Sequence, residues 1–167
     1  MTHVVSLLVE NHQGVLARIA GLFSGRAYNL ESLTVGITTD PSVSRITLVC
    51  SGDDNVIEQI KKQLNKLIDV IKLTDLTGLQ SVHRELALIK VTVPAEKRGE
   101  IFQIADVFRA KVVDVGTEAM VIEVTGAPEK IDDMLTLLSG YTALEVARSG
   151  LVSIERGKKI KKAAKGA

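Results

Sequence analysis

The chain has 167 residues, of which 46% are apolar and 3% are aromatic, and its formal net charge is +1. This composition allows one or two domains with an aliphatic core, but few residues could stack on bases or sugars. The charge is uneven, because residues 156–167 carry six basic and no acidic side chains and leave 15 basic against 20 acidic residues before them. The single cysteine excludes an internal disulfide and is typical of a reducing compartment. With no signal-peptide pattern and no apolar stretch of the roughly 20 residues that span a bilayer, we expect a soluble cytoplasmic protein.

Hydrophobic periodicity in the first half predicts the order strand, helix, strand, strand, helix, strand. A first apolar strand runs into a polar turn, and Gly14 then opens a helix whose apolar residues recur every three or four positions. Period-two alternation predicts the next two strands, and Asp53 and Asp54 can cap the helix that follows. The predicted ranges are strand 4–9, helix 14–27, strands 30–38 and 44–51, a helix with an apolar stripe from Val56 to Leu67, and strand 68–76.

The same order of elements repeats in the second half, after a glycine-containing stretch at 77–81 that is a plausible linker. Pro94 stops the first strand of this repeat, and Pro128 fits the first turn of its second helix. The predicted ranges are strand 86–93, helix 96–109, strands 111–116 and 120–125, a helix from Pro128 to Gly140, and strand 144–148.

We therefore predict an α+β protein made of two ferredoxin-like βαββαβ units, each an antiparallel sheet with helices on one face. The expected domains are residues 1–77 and 82–157, followed by a basic, disordered tail at 158–167. Strand 4–9 carries apolar residues on both of its sides, so the open face of the first sheet is expected to be a contact surface. That contact could lie between the two halves or between two chains.

The turn and helix start at residues 10–14 form the first candidate site. Gly14 could be only a turn glycine, since glycine adopts positive φ readily. It could also let a ligand carboxylate approach the first amides of the helix, which lack intrahelical partners and carry partial positive charge. Asn11, with a donor and an acceptor, suits an ammonium and a carboxylate together. Asn29, which is expected to return beside the turn, could be a ligand contact or only a strand-start cap.

The remaining polar residues offer little chemistry. His3, His12 and His83 are scattered without a second metal ligand at suitable spacing, so solvated histidines and no metal site are expected. Cys50 shares a strand face with apolar residues and is interpreted as a small core residue. Glu31 and Glu85 are interpreted as surface groups, and no catalytic constellation or phosphate loop is present in the sequence.

Two features bear on nucleic-acid binding. The basic tail could touch nucleic acid, but such a tail is more typical of a solvated or disordered chain end. The βαββαβ order also matches the RRM class of RNA binders, which stack bases on aromatic residues of the central strands. The corresponding strands here contain no aromatic residue, so we expect neither nucleic-acid nor membrane binding.

The sequence also resembles a known family over nearly its whole length. The first half resembles the N-terminal ACT domain of the regulatory (small) subunits of acetolactate synthase, also called acetohydroxyacid synthase, and the YNLESL block is more specific than a generic ACT signature. The second half resembles the same family in two shorter blocks. The blocks are ENHQGVLARI at 10–19, GLFS at 21–24, RAYNLESLTV at 26–35, DPSVSRIT at 40–47, QIKKQLNKLIDV at 59–70, RELALIKV at 84–91 and EVARSG at 145–150.

The resemblance implies a non-enzymatic subunit that binds no cofactor itself. Its partner would be the catalytic large subunit, which uses thiamine diphosphate, Mg and FAD to make acetolactate from pyruvate. The small subunit would raise that activity and confer feedback inhibition by valine or a related branched-chain amino acid. In the family the amino acid lies between two ACT domains of a homodimer. Matching positions imply these effector contacts: Asn11, Gly14, Val15, Leu16, Asn29 and Leu30.

The second unit has PAEKR at 94–98 in place of an Asn-x-x-Gly motif, so no similar site is expected there. Two other classes of function stay open from the residues alone. One is a stand-alone tandem-ACT, amino-acid-responsive transcriptional regulator that uses the basic tail. The other is a small ferredoxin-like enzyme, which the lack of a catalytic constellation disfavours.

Overall fold

The computed structural model describes residues 1–26 and 28–157, with the side chains of 142–144 left out. The basic tail at 158–167 and Ala27, the predicted last residue of the first helix, therefore lie outside the described residues. Within them, no helix is long and apolar enough to cross a membrane. The elements are β1 (Thr2–Glu10), α1 (Val15–Ser24), β2 (Asn29–Ile37), β3 (Val43–Ser51), α2 (Asp54–Leu64), β4 (Val70–Asp75), β5 (Ser81–Thr92), a 3-10 turn (Ala95–Lys97), α3 (Arg98–Val107), β6 (Lys111–Val115), β7 (Ala119–Gly126), α4 (Pro128–Leu138), β8 (Thr142–Arg148) and β9 (Val152–Glu155).

Two antiparallel sheets confirm the predicted pair of βαββαβ units. The strand order is β2-β3-β1-β4 in the first sheet and β6-β7-β5-β8 in the second. Each unit has its own aliphatic core on the helix side of its sheet, built from alternate strand residues and one face of each helix. Local rules hold at the helix starts: Asp53 caps α2 by accepting from the Val56 amide at 2.8 Å, and Pro128 occupies the first turn of α4.

Cys50 lies in the first core, as predicted, with 1% of its surface exposed. Burial raises the pKa of its thiol to about 11. A thiol in this environment stays protonated near neutral pH and acts as a small apolar side chain.

The C-terminal strands depart from the prediction. β5 begins at Ser81, five residues before the predicted start, and its first four residues pair with a ninth strand that was not predicted. β8 and β9 both run antiparallel to β5, along its second and first parts respectively. They form one edge strand interrupted by residues 149–151, which we call the junction segment. In β9 (Val-Ser-Ile-Glu) apolar and polar residues alternate over only four positions. A pattern this short does not distinguish a strand from a loop in the sequence.

The outer face of the first sheet, away from its helices, is covered in part by the second unit. β9 lies against β1, and on this face Ser6 and Thr47 are each only 2% exposed. Leu151 of the junction segment is buried as well, at 7% exposure. The contact surface expected on this face therefore exists, and within one chain it joins the two halves.

Candidate functional site

The loop between β1 and α1 has the geometry of an anion-accepting helix start. Gly14 is the N-cap of α1, with a left-handed conformation (φ 88°, ψ −15°) that only glycine adopts without strain. No side chain of the described residues caps this helix. The first amides of α1 therefore keep their hydrogen-bonding capacity for another partner. A carboxylate is well suited to it, because the helix dipole adds partial positive charge at this end.

Asn11 is held in place by the turn between β2 and β3. Its backbone amide donates to the Ser42 carbonyl at 2.7 Å, and its side-chain Nδ2 donates to the Pro41 carbonyl at 2.9 Å. That turn is rigid in its own right, since the Asp40 carboxylate accepts from both the amide and the hydroxyl of Ser42. Asn11 is thus held by two hydrogen bonds, and neither of them uses its side-chain oxygen.

Below the loop, Asp69 is the centre of an ion-pair network. Its side chain is 4% exposed and accepts from Arg18 of α1 through both oxygens, at 2.7 and 2.9 Å. His12 Nε2 lies 3.0 Å from Asp69 and 3.3 Å from Glu10. The hydrogen bonds from Arg18 hold the pKa of Asp69 below its ordinary value of 3.8. The network ties the loop to the helix and to the start of β4.

His12 has an acceptor at each ring nitrogen. Nδ1 lies 3.0 Å from the Gln13 carbonyl, and Nε2 faces the two carboxylates. The charged imidazolium satisfies all of these contacts, and the Gln13 carbonyl, followed by Asp69 and Glu10, raises the pKa of His12 above its ordinary value of 6.5.

The prediction that His12 has no neighbouring metal ligands was wrong. Three side chains, those of Glu10, His12 and Asp69, each offer one possible metal-ligand atom, and these atoms lie within 4.8 Å of one another. Residues 12 and 69 are distant in the sequence, so spacing could not reveal the cluster. Asp69 forms ion pairs with Arg18 and with the His12 imidazolium. These two pairs account for the clustering of the three side chains without a metal ion.

The predicted effector residues divide into two groups. Asn11, Gly14, Val15 and Leu16 lie together at the β1–α1 loop. The Val15 side chain is 4% exposed and packs in the first core, so only its backbone amide faces the loop, whereas Leu16 is 46% exposed.

Asn29 and Leu30 lie at the far end of the same sheet. Asn29 pairs with Ser51 at one end of β3, while Glu10, which precedes the loop, pairs with Val43 at the other end. Eight residues of strand separate the two ends by about 26 Å. The expectation that Asn29 returns beside the turn was therefore wrong within one chain. Its Nδ2 instead donates to the Ser51 hydroxyl at 2.7 Å.

A second concave region, a cleft of about 900 Å³, lies where the two units meet. Here Glu85, interpreted from the sequence as a surface group, is only 6% exposed and is paired with Arg148 at 2.7 and 2.8 Å. His83 bonds the hydroxyls of Ser81 and Ser153. His3 is also buried, at 3% exposure, so the prediction of solvated histidines and a surface Glu85 was wrong. His83 is bonded to Ser153 of β9, a strand that the sequence did not reveal, whereas His3 pairs with Cys50 on the core face of the first sheet.

The two halves match two family models. Residues 5–72 match the model described as "AHAS small subunit-like ACT domain", and residues 84–157 match the model described as "Small subunit of acetolactate synthase". The matched ranges coincide with the two sheets of the structure.

Full-length relatives agree with the family models. The chain is 51% identical over 159 residues to the probable acetolactate synthase small subunit of Archaeoglobus fulgidus, covering 95% of this chain and 99% of that protein. It is 53% identical over 156 residues to the acetolactate synthase small subunit of Mycolicibacterium smegmatis, covering 93% and 92%.

A solved structure extends the agreement to three dimensions. The acetolactate synthase small subunit of Thermotoga maritima is 42% identical and superposes with a TM-score of 0.85, covering 94% of this chain and 98% of that chain. Because each unit is less than half of the chain, a score this high requires the two units to hold the same relative position in both proteins. The chain belongs to the family of acetolactate synthase small subunits.

Proposed function

We propose that this protein is the regulatory subunit of an acetolactate synthase in branched-chain amino acid biosynthesis. It binds the catalytic large subunit, raises its activity and makes it sensitive to valine or a related branched-chain amino acid. It carries no catalytic group or cofactor of its own, and thiamine diphosphate, Mg and FAD belong to the catalytic subunit. Family membership supports this role, and a cytoplasmic setting would follow from such a pathway.

The observation that carries the effector assignment is the glycine N-cap of α1. The ligand carboxylate lies against the amides of α1, where Gly14 has no Cβ to obstruct it. The ligand ammonium is bound by the fixed acceptor oxygen of Asn11. Leu16, nearly half exposed on the first turn of α1, offers an apolar contact for an aliphatic side chain.

The distant position of Asn29 is accounted for by a dimer. β2 has β3 as its neighbour on one side, and its other edge is unpaired within the described chain. Unpaired edges are templates for another strand, and β2 also exposes Val35 (47%) and Ile37 (68%). A two-fold axis between two such edges pairs the β2 strands antiparallel.

This pairing brings the two groups of effector residues together. Ile37 pairs with Ser44, next to the end of the sheet where the β1–α1 loop lies. In an antiparallel β2 pair, the start of one β2 therefore meets the loop end of the other sheet. Asn29 and Leu30 of one protomer then join Asn11 and Gly14 of its partner, and each effector molecule contacts both chains.

Inhibition then follows as a population shift. The free dimer favours an arrangement that activates the catalytic subunit, and valine bound across the dimer favours another that does not. The ligand can shift the balance only by its difference in affinity for the two arrangements.

The decisive experiment mixes the purified chain with its catalytic subunit and measures acetolactate formation with and without valine. We expect stimulation by the chain and loss of that stimulation when valine is added. A rate that the chain does not raise, or that valine does not lower, would contradict the proposal.

A further inference from the structure

We propose that the junction segment, residues 149–151, is a latch on β2 that couples the effector site to the second unit. This rests on the proposed function, because it concerns how occupancy of that effector site reaches the rest of the chain. The latch is formed by Gly150 and Leu151 on one side and by Ser32 and Thr34 on the other.

The contact is close and specific. The Thr34 hydroxyl donates to the Leu151 carbonyl at 2.7 Å, and the Leu151 amide donates to the Ser32 hydroxyl at 3.2 Å. Both backbone groups of Leu151 are therefore satisfied by the side chains of one strand of the other unit. Buried backbone groups need such partners, so separating the units at this point would leave both without their bonds unless water replaces them.

Gly150 allows this approach. Its φ is +79°, and a Cβ added there would lie 2.5 Å from the Ser32 hydroxyl oxygen and 2.9 Å from the Thr34 methyl carbon. Both distances are shorter than real Cβ contacts, so with any larger residue either the two latch side chains or the segment itself must shift. The glycine is thus required by the contact as well as by the backbone conformation.

β2 carries the effector residues and the latch in sequence. Asn29 and Leu30 begin the strand, and Ser32 and Thr34 follow immediately. Between them the register with β3 shifts, with Glu31 as the extra residue of a β-bulge. Bulges are places where a strand bends and re-aims its side chains. If effector binding moves Asn29 and Leu30, the bulge therefore carries that movement to the neighbouring hydroxyls of Ser32 and Thr34, which form the latch.

The surroundings permit movement. Beside the latch lies the cleft between the units, lined by Glu31 and Leu33 of β2 and by Glu85 and Arg148 of the second unit. The two units thus have separate cores and meet at this contact beside open space. Interfaces of this kind within a chain allow relative domain motion. The latch sets the position of the second unit relative to β2.

The test compares Gly150→Ala with Gly78→Ala in the full-length protein. Gly78 also has positive φ (+74°), but a Cβ there meets nothing within 4 Å, so it controls for backbone strain alone. Each variant is assayed for valine binding by calorimetry, for stimulation of the catalytic subunit, and for inhibition by valine. A third variant, Thr34→Val, removes the hydrogen bond to Leu151 with little change in shape and serves if Gly150→Ala fails to fold.

We expect Gly150→Ala and Thr34→Val to bind valine as the parent chain does, yet to need at least about fivefold more valine for half inhibition, the lower end of typical allosteric couplings. Gly78→Ala should behave as the parent chain. Equal inhibition in all variants would overturn the latch and leave the proposed function intact. A parent chain that neither stimulates nor responds to valine would instead overturn the proposed function.

Discussion

The two units share one fold but differ at the start of their first helices. In the first unit, β1 leads through a left-handed Gly14 straight into α1, and the helix amides face an open loop. In the second, β5 leads through Pro94 (φ −66°) into a 3-10 turn before α3 begins. The Arg98 guanidinium then donates to the carbonyls of Gly116 and Thr117 and fixes the neighbouring turn. The same topology thus produces a helix that begins directly at a left-handed glycine in one unit and a helix preceded by a 3-10 turn in the other, and no described side chain caps either start.

The fold alone therefore does not make the proposed site. A βαββαβ unit places a helix N-terminus beside the end of its first strand in both cases. The two starts differ in Gly14, which leads straight into α1, and in the 3-10 turn that precedes α3.

Gly14→Asp should weaken valine binding at least about a hundredfold. The new carboxylate repels the carboxylate of the ligand, and the aspartate backbone is strained at the positive φ of this position. A Cβ at Gly14 would also lie 3.5 Å from an Arg18 guanidinium nitrogen, so the introduced carboxylate competes with Asp69 for that group. Calorimetry with valine measures the loss. The matched control is Gly99→Asp in the first turn of α3, where a Cβ meets nothing within 4 Å. Equal binding in both variants would refute the assignment of the site to the first unit.

Ile37→Glu should dissociate the dimer, because it places a charge in the apolar edge that we propose to be paired. Sedimentation velocity measures the dissociation, and valine binding should fall together with the dimer population. Val115→Glu is the control, since Val115 is 51% exposed on β6, the corresponding edge of the second sheet. A dimer that survives Ile37→Glu but not Val115→Glu would show that the interface lies in the second unit and would contradict the proposed pairing of β2 strands.

Asn29→His should weaken valine binding by about tenfold, the usual effect of losing one hydrogen bond to a charged group. The variant should remain a dimer and still stimulate the catalytic subunit, because Asn29 is exposed and its side chain makes only the hydrogen bond to Ser51 among the described residues. Mixing Asn29→His with Asn11→Ala protomers offers a sharper check. If each site draws Asn11 and Asn29 from different chains, the mixed dimer has one site with both changes and one intact site.

The ion pairs of His12 should give a small, pH-dependent stabilisation. The pKa of His12 is raised in the folded protein, so this contribution is fully present below about pH 6.5 and is lost as the pH rises through the raised value. Because His12 is half exposed, we expect His12→Asn to lower the Tm by only about 1–2 °C near pH 6. The two proteins should melt together near pH 9. A difference in Tm between the two proteins that grows with pH would contradict the claim that the charged imidazolium of His12 stabilises the fold.

Local sequence rules predicted most of the elements. Asp53 and Pro128 mark their helix starts because capping depends on neighbours within one turn. That Asn11 and Gly14 lie together could be predicted because both belong to one short loop. Glu85, His12 and Asn29 were misplaced, since their partners, Arg148, Asp69 and Ser51, lie 63, 57 and 22 positions away. Pairing at such separations is set by strand order and register, which periodicity does not contain.

The two βαββαβ units, the family and the helix start at Gly14 could be predicted from the residues alone, because hydrophobic period, family blocks and turn residues can be recognised along the chain. The three-dimensional fold was needed to show that Asn29 lies across the sheet from Asn11, that Asp69 anchors the loop through Arg18, and that Gly150 docks on β2. These follow from which strands pair and in what register. The register places Asn29 at the opposite end of its sheet from the β1–α1 loop, and the proposal of an effector site shared by two chains rests on that separation.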